Sequence, residues 1–174
     1  ARGQTVGRLD SRAIGRDADN QGAAPEYDAT ASFNTGPFIT VLNDYLFGTL
    51  GYPAELEYRP HNYGNIRGRW DRGHTGPAGN RMALANVAID LAQAMRENRS
   101  MKLLTMNGYY DLATPFFKAE YDVKHMPIDA GLQKNVTFSY FEAGHMIYTN
   151  PAAMAEFKAV LDRFYDENPG TPTP

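Results

Sequence analysis

Two short runs do most to limit what this chain can become: Lys102-Leu103-Leu104-Thr105-Met106 and Val136-Thr137-Phe138-Ser139-Tyr140-Phe141. Both are apolar, the second is rich in β-branched and aromatic residues, and each is flanked by helical patterning, which predicts buried strands. Before the first, Asn80 to Arg99 carries Leu84, Val87, Ala88, Leu91 and Met95 on one apolar stripe and predicts a helix. Between the runs, Thr114-Pro115 opens a short helix, with Thr as cap and Pro next. After the second, Asn150-Pro151 caps a last helix whose buried face is Met154, Phe157, Val160, Leu161 and Phe164. Alternating helix and strand is the order of an α/β protein with parallel strands. Two parallel strands make a poor sheet, because both faces and both edges need cover, so further strands are expected elsewhere.

The first eighty residues read differently, rich in Gly, Pro, Asn, Tyr and Arg with few long periodic stretches. Gln4 to Ile14 predicts a short strand or ribbon, and the polar stretch from Gly15 to Ser32 a loop. Thr35-Gly36-Pro37 marks a helix start, with Phe38, Val41, Leu42, Tyr45, Leu46 and Leu50 at helical steps and a stop at Gly51. Residues 59–79 form a long irregular stretch holding the only tryptophan, Trp70, expected to anchor that loop. The organisation expected is a segment over 1–80, an α/β part over 81–168 and a disordered tail over 169–174.

At 174 residues, with 43% hydrophobic and 12% aromatic content, the chain suffices for a domain with a real core. No apolar run reaches the roughly 18 residues of a membrane span, and no signal peptide is visible. The net charge is −3, and the eleven arginines of residues 1–99 are matched by eleven carboxylates, so no basic face for nucleic acid is expected. The absence of cysteine excludes disulfides and thiolate metal sites, and fits a cytosolic or bacterial exported protein.

Chemistry-bearing groups cluster after the two strand runs. The first leads into Asn107-Gly108-Tyr109-Tyr110-Asp111-Leu112-Ala113-Thr114-Pro115, the second into Glu142-Ala143-Gly144-His145-Met146. Open α/β sheets place their sites beyond the carboxyl ends of their strands, and one helix-and-strand unit separates Asp111 from His145. A carboxylate bonded to a histidine holds its tautomer and stabilises the imidazolium formed as it takes a proton. Taken singly, Asp111 is either a turn or capping residue or an acid, and His145 either a packed histidine or a base. Together they point to a catalytic pair. The nucleophile such a pair serves is not apparent, because Ser11, Ser32, Ser100 and Ser139 all lack a Gly-x-Ser-x-Gly elbow. His61 and His74 flank an arginine-rich loop with Asp71 but match no metal-ligand spacing, so no metal site is expected. His125 reads as a solvated or capping residue, and Asn98-Arg-Ser and Asn135-Val-Thr match the short glycosylation pattern.

Asn107-Gly-Tyr-Tyr-Asp-Leu-Ala-Thr-Pro and Ala143-Gly-His-Met-Ile-Tyr resemble the end of a serine carboxypeptidase of the peptidase S10 family, especially its bacterial members. Val6-Gly-Arg-Leu-Asp-Ser-Arg, Asn43-Asp-Tyr-Leu and Asp90-Leu-Ala-Gln-Ala-Met are similar to the same group, less distinctively. The resemblance implies the C-terminal part of an α/β-hydrolase fold, its last parallel strands with flanking helices, preceded by an irregular cap-like segment over 1–80. It implies Asp111 as triad acid, His145 as base, and Met146 either lining the leaving-group pocket or packing in the core. The serine elbow, oxyanion hole and carboxylate-gripping groups would lie upstream, so the chain alone is expected to be inactive. Peptides would be the substrate, no cofactor is implied, and the partner is the upstream part of the same protein or a second copy. A bacterial periplasmic or exported location is compatible. Other α/β-hydrolases, such as an esterase or aminopeptidase, and a non-catalytic binding or dimerising module are the rival readings.

Overall fold

A computed structural model describes residues 3–17, 27–53, 55, 59, 62–83 and 85–169. The chain forms two compact units. The first is Ala1–Gly7 with Ala13–Arg72, and the second is Arg8–Arg12 with Gly73–Pro174. The division therefore falls at Arg72/Gly73, ahead of the expected boundary at residue 80, and five residues near the start belong with the later part.

In the first unit, β1 (Gln4–Val6) pairs antiparallel with β2 (Ile14–Arg16), from Gln4 opposite Arg16 to Val6 opposite Ile14. Helix α1 runs from Ala29 to Asn43, so it begins well before the expected Thr35-Gly36-Pro37. The start is set by Asp28, whose side chain accepts from the Thr30 N–H at 2.9 Å, satisfying a donor that the first turn leaves unpaired. Pro37 lies inside the helix, which forgoes one intrahelical bond there. The helix widens into a π turn over Asp44–Thr49, closed by the Leu50 N–H on Tyr45 O at 2.9 Å, and stops before Gly51 as expected. A short α2 (Tyr63–Ile66) follows, and Trp70, expected to anchor its loop, is 67% exposed.

The second unit begins with a hairpin of β3 (His74–Thr75) and β4 (Arg81–Met82), where the expected helix from Asn80 would have started. The reason is the turn Gly76-Pro77-Ala78-Gly79: Pro suits its second position, and Gly79 takes φ +77°, which glycine adopts without strain. Helix α3 begins only at Ala88 and ends at Glu97. Of the expected stripe, Met95 is buried and Ala88 and Leu91 are partly buried, Val87 is exposed, and Leu84 lies outside the described residues. Then come β5 (Leu103–Gly108), α4 (Phe116–Lys124), α5 (Ala130–Gln133), β6 (Val136–Phe141), a 3-10 turn over Ile147–Thr149, and α6 (Pro151–Glu167). Strand β6 has its expected bounds, and β5 runs two residues past its expected end. Asn150 accepts from the Ala152 N–H at 3.1 Å and Pro151 opens α6, the expected cap. Met154, expected in the core, is 53% exposed, and Ala153 takes the buried position. Residues 170–174 of the expected tail lie outside the described residues.

β5 and β6 run parallel, from Leu103 opposite Val136 to Gly108 opposite Phe141. Alternate residues point to opposite faces of the strands, and each face meets its own apolar cluster. Leu103 and Val136 pack with Met95, Ala92, Met126 and Leu132, while Met106 and Phe141 pack with Ile147, Ala153, Phe157 and Val160. Burying a side chain as fully as Phe141 or Met95 contributes roughly 1.5–3 kcal/mol. The architecture is a mixed helix-and-strand α/β arrangement around a small parallel sheet. Among the described residues the outer edge of each strand has no ladder partner, and no helix is long and apolar enough to cross a membrane.

Candidate functional site

The ladder continues past the strands: the Tyr109 N–H donates to Phe141 O and the Tyr110 N–H to Ala143 O, both at 3.0 Å. This brings the loops after β5 and β6 side by side. Gly108 permits the approach, because a Cβ there would stand 2.3 Å from the carbonyl oxygens of both Ala143 and Gly144. Asp111 and His145 meet across the two loops, with Asp111 Oδ2 2.8 Å from His145 Nδ1. The carboxylate is 5% exposed and the imidazole 43% exposed.

Asp111 is held by its own loop. Oδ1 accepts from the Ala113 N–H at 2.7 Å and the Thr114 N–H at 3.0 Å, and Oδ2 lies 2.6 Å from Thr114 Oγ1. Burial alone would raise the Asp111 carboxyl, but these bonds, with the one to His145, outweigh it and hold the group below its ordinary value. Thr114, expected as a helix cap, turns back to the carboxylate instead, and α4 starts at Phe116 after Pro115, without a side-chain cap. An ionised carboxylate facing Nδ1 selects the Nδ1–H tautomer and leaves a lone pair on Nε2. Chemically, such an arrangement can serve as a general base with its orienting acid.

A third strand of chain brackets the loops. Arg8–Arg12 lies across them, with the Leu112 N–H on Arg8 O (3.0 Å), the Ser11 N–H on Tyr110 O (2.9 Å) and the His145 N–H on Leu9 O (2.7 Å). Gly144 is needed for the last contact, since a Cβ there would come within 2.5 Å of Leu9 O. Arg12 sits 4.4 Å over the Tyr110 ring, donates to Glu142 O at 3.1 Å and pairs with Asp10 at 2.7 Å. Its guanidinium holds the Asp10 carboxyl below the usual range, and Glu142, accepting from the Tyr110 hydroxyl at 2.6 Å, pushes that phenol up. Sequence reasoning read this segment as part of a ribbon over Gln4–Ile14 and as a family likeness. It did not foresee its place against the two loops, because the bonds that fix it there are largely made by backbone groups that carry no residue signature.

The other candidates lie elsewhere. Met146 follows His145 half-buried, and its carbonyl accepts from the Thr149 N–H and hydroxyl at 3.1 and 2.8 Å. Among the described residues the side-chain bonds of His145 go to Asp111 and Thr114, and none of the four serines takes part. His61 lies outside the described residues, His74 Nε2 stands 2.8 Å from Asp90 Oδ2, and among the described residues no three His, Cys, Asp or Glu side chains group around a cation position. His125 stacks on Tyr121 at 3.9 Å as it ends α4. The Asn135 amide is engaged by Arg99 O and Lys102 Nζ at 2.9 and 2.7 Å. A groove of about 850 Å³ between α3 and α4, lined by Val87, Leu91, Lys118, Asp122, Val123 and Met126 among others, does not include the Asp111–His145 pair. Comparisons with protein-family profiles, curated proteins and solved structures gave no match for the chain.

Proposed function

We propose that this chain supplies the base and the orienting acid of a serine hydrolase acting on peptide C-termini, as the likeness to serine carboxypeptidases implies. The observation that carries the reading is the 2.8 Å approach of His145 Nδ1 to the buried Asp111 carboxylate beyond the carboxyl ends of two parallel strands. In the reaction proposed, His145 Nε2 takes the proton of an upstream serine as its oxygen attacks the scissile carbonyl. It then delivers that proton to the departing amino group, leaving an acyl-enzyme. Water, deprotonated by the same nitrogen, releases the shortened peptide and regenerates the serine. Asp111 keeps the ring turned and balances the imidazolium charge in both halves. This chemistry draws on no cofactor, and Met146 is assigned to the leaving-group side of the pocket.

On this reading the chain alone does not turn over substrate, because none of its serines reaches the base. The test is to combine it with the upstream part of its parent protein and assay blocked peptides with free C-termini against simple esters. Release of the terminal residue by the mixture, and by neither part alone, is the expected result. A serine-reactive phosphonate that labels this chain by itself, with labelling lost on replacing one of its serines, overturns the proposal. Hydrolysis of esters alone assigns the pair to a different substrate class.

A further inference from the structure

We infer that Thr114 is a positioning residue for the His145–Asp111 pair, its hydroxyl locking the imidazole into one tautomer through a triangle of Thr114 Oγ1, Asp111 Oδ2 and His145 Nδ1. The sides of that triangle are 2.6 Å from Oγ1 to Oδ2, 2.8 Å from Oδ2 to Nδ1 and 3.2 Å from Oγ1 to Nδ1. Its catalytic meaning rests on the reading of His145 as a base, but the geometry does not.

The direction of each bond follows from elimination. The carboxylate carries no proton, so both groups facing Oδ2 donate to it: the Thr114 O–H and the His145 Nδ1–H. A hydroxyl that has given its hydrogen to Oδ2 offers only lone pairs to the imidazole. Its oxygen is then a second, longer acceptor for the same Nδ1–H. With a lone pair on Nδ1 instead, that nitrogen would face the Asp111 oxygen with no proton between them, and the Thr114 hydroxyl could donate to it only by giving up its 2.6 Å bond to Oδ2. The triangle therefore penalises the Nε2–H form, through the bare Asp111–Nδ1 contact and through the Thr114–Asp111 bond it would cost.

The other carboxylate oxygen explains why a hydroxyl is needed at this position. Oδ1 is already taken by the N–H groups of Ala113 and Thr114, which fix the loop but leave Oδ2 free to swing. The Thr114 hydroxyl pins that oxygen under the imidazole. Backbone and side chain of one residue thus hold both oxygens of Asp111. Serine would preserve the bonds, and valine, with the same shape, would remove them.

The test is nitrogen NMR of the imidazole in the 174-residue chain, at a pH where the ring is neutral. The wild-type chain is expected to show a protonated Nδ1 and an unprotonated Nε2, with a slowly exchanging Nδ1–H. Thr114→Val is expected to raise the exchange of that proton by about tenfold or more, and to populate the other tautomer. Thr114→Ser is expected to keep the wild-type pattern. A Thr114→Val chain with native amide shifts and unchanged tautomer and exchange overturns the inference, as does a wild-type ring protonated on Nε2. Should the valine chain not fold, the serine chain decides: folded but without the protected Nδ1–H, it also overturns it. No nucleophile is involved, so failure of the peptidase assay leaves this measurement standing, and the reverse holds equally.

Discussion

Gly108 stands against Ala143 with no room for a side chain: a Cβ at 108 would lie 2.3 Å from the Ala143 carbonyl oxygen. That oxygen is backbone and already accepts from the Tyr110 N–H, so it has nowhere to yield. Gly108→Ala is expected to cost about 3 kcal/mol and to part the two loops, read as a lowered urea midpoint with loss of the His145–Asp111 signature by NMR. Gly64→Ala is the contrast, since a Cβ there meets nothing within 4 Å on helix α2. It is expected to stabilise the chain by about 0.5–1 kcal/mol. Equal effects from the two substitutions would refute the steric account.

Asp111 makes stability depend on acid. Its folded-state value lies below the ordinary 3.8, so its contribution is full above about pH 4 and disappears as pH falls through the lower folded value. Asp111→Asn cannot titrate. The part of the stability gap between wild type and Asp111→Asn that comes from this carboxylate is therefore expected to be full above about pH 4 and to shrink below it. Urea titrations at several pH values measure it, and a gap that widens as the pH falls below about 4 contradicts the assignment.

On the proposed function, the same substitution separates orientation from folding once the chain is combined with the upstream part. An asparagine cannot select the Nδ1–H tautomer, so peptide hydrolysis is expected to fall on the order of 10⁴-fold with little change in substrate affinity. Steady-state kinetics check this. A loss below tenfold, with the chain folded, removes Asp111 from the mechanism.

Tyr140 should ionise only well above the pH at which an ordinary phenol does. Burial first, then its 2.6 Å bond to Glu120, pushes the phenol up to about 12. Its ring stacks on Tyr109 at 5.8 Å and meets Phe116 edge-on at 5.7 Å. Removing the carboxylate by Glu120→Gln is expected to lower the Tyr140 value only in part, because burial remains the larger cause. Spectrophotometric titration of wild type, Glu120→Gln and Tyr140→Phe resolves this. Full return to the ordinary value of 10 in Glu120→Gln would assign the whole shift to charge.

Helix α1 leaves Phe33, Phe38 and Val41 exposed, at 60, 47 and 67%. Apolar side chains so placed along one element favour association in water. The isolated chain is expected to sediment with a concentration-dependent mass, and Val41→Glu with Phe33→Glu to shift it toward monomer. A single monomeric species at every concentration refutes the expectation.

What the sequence disclosed follows the range of each contact. Strand β6 was legible because β-branched and aromatic residues fill it without interruption, and the start of α6 because Asn150-Pro151 acts only on its own first turn. Helix α1 was misplaced since Pro37 looks like a start while Asp28, inside the stretch read as a polar loop, does the capping. The helix before β5 was drawn too long because its stripe continues through Val87, although Gly76-Pro77-Ala78-Gly79 carried a turn signature that could have corrected it. Asp111 and His145 could be paired in advance through the parallel-strand grammar. Thr114 could not, because its place after Asp111 is equally that of a cap, and only coordinates tell the two uses apart.

The bond from the His145 N–H to Leu9 O also sets an order of events. On a ribosome making about 5–20 residues per second, that carbonyl exists on the order of ten seconds before its donor is made, 136 positions later. The other backbone partners of that segment, Tyr110 O and the Leu112 N–H, are made earlier but are still about a hundred positions away, and closing so long a loop is entropically slow. The loop that carries His145 is thus tethered late, after residues 8–12 have waited for most of the chain to be made.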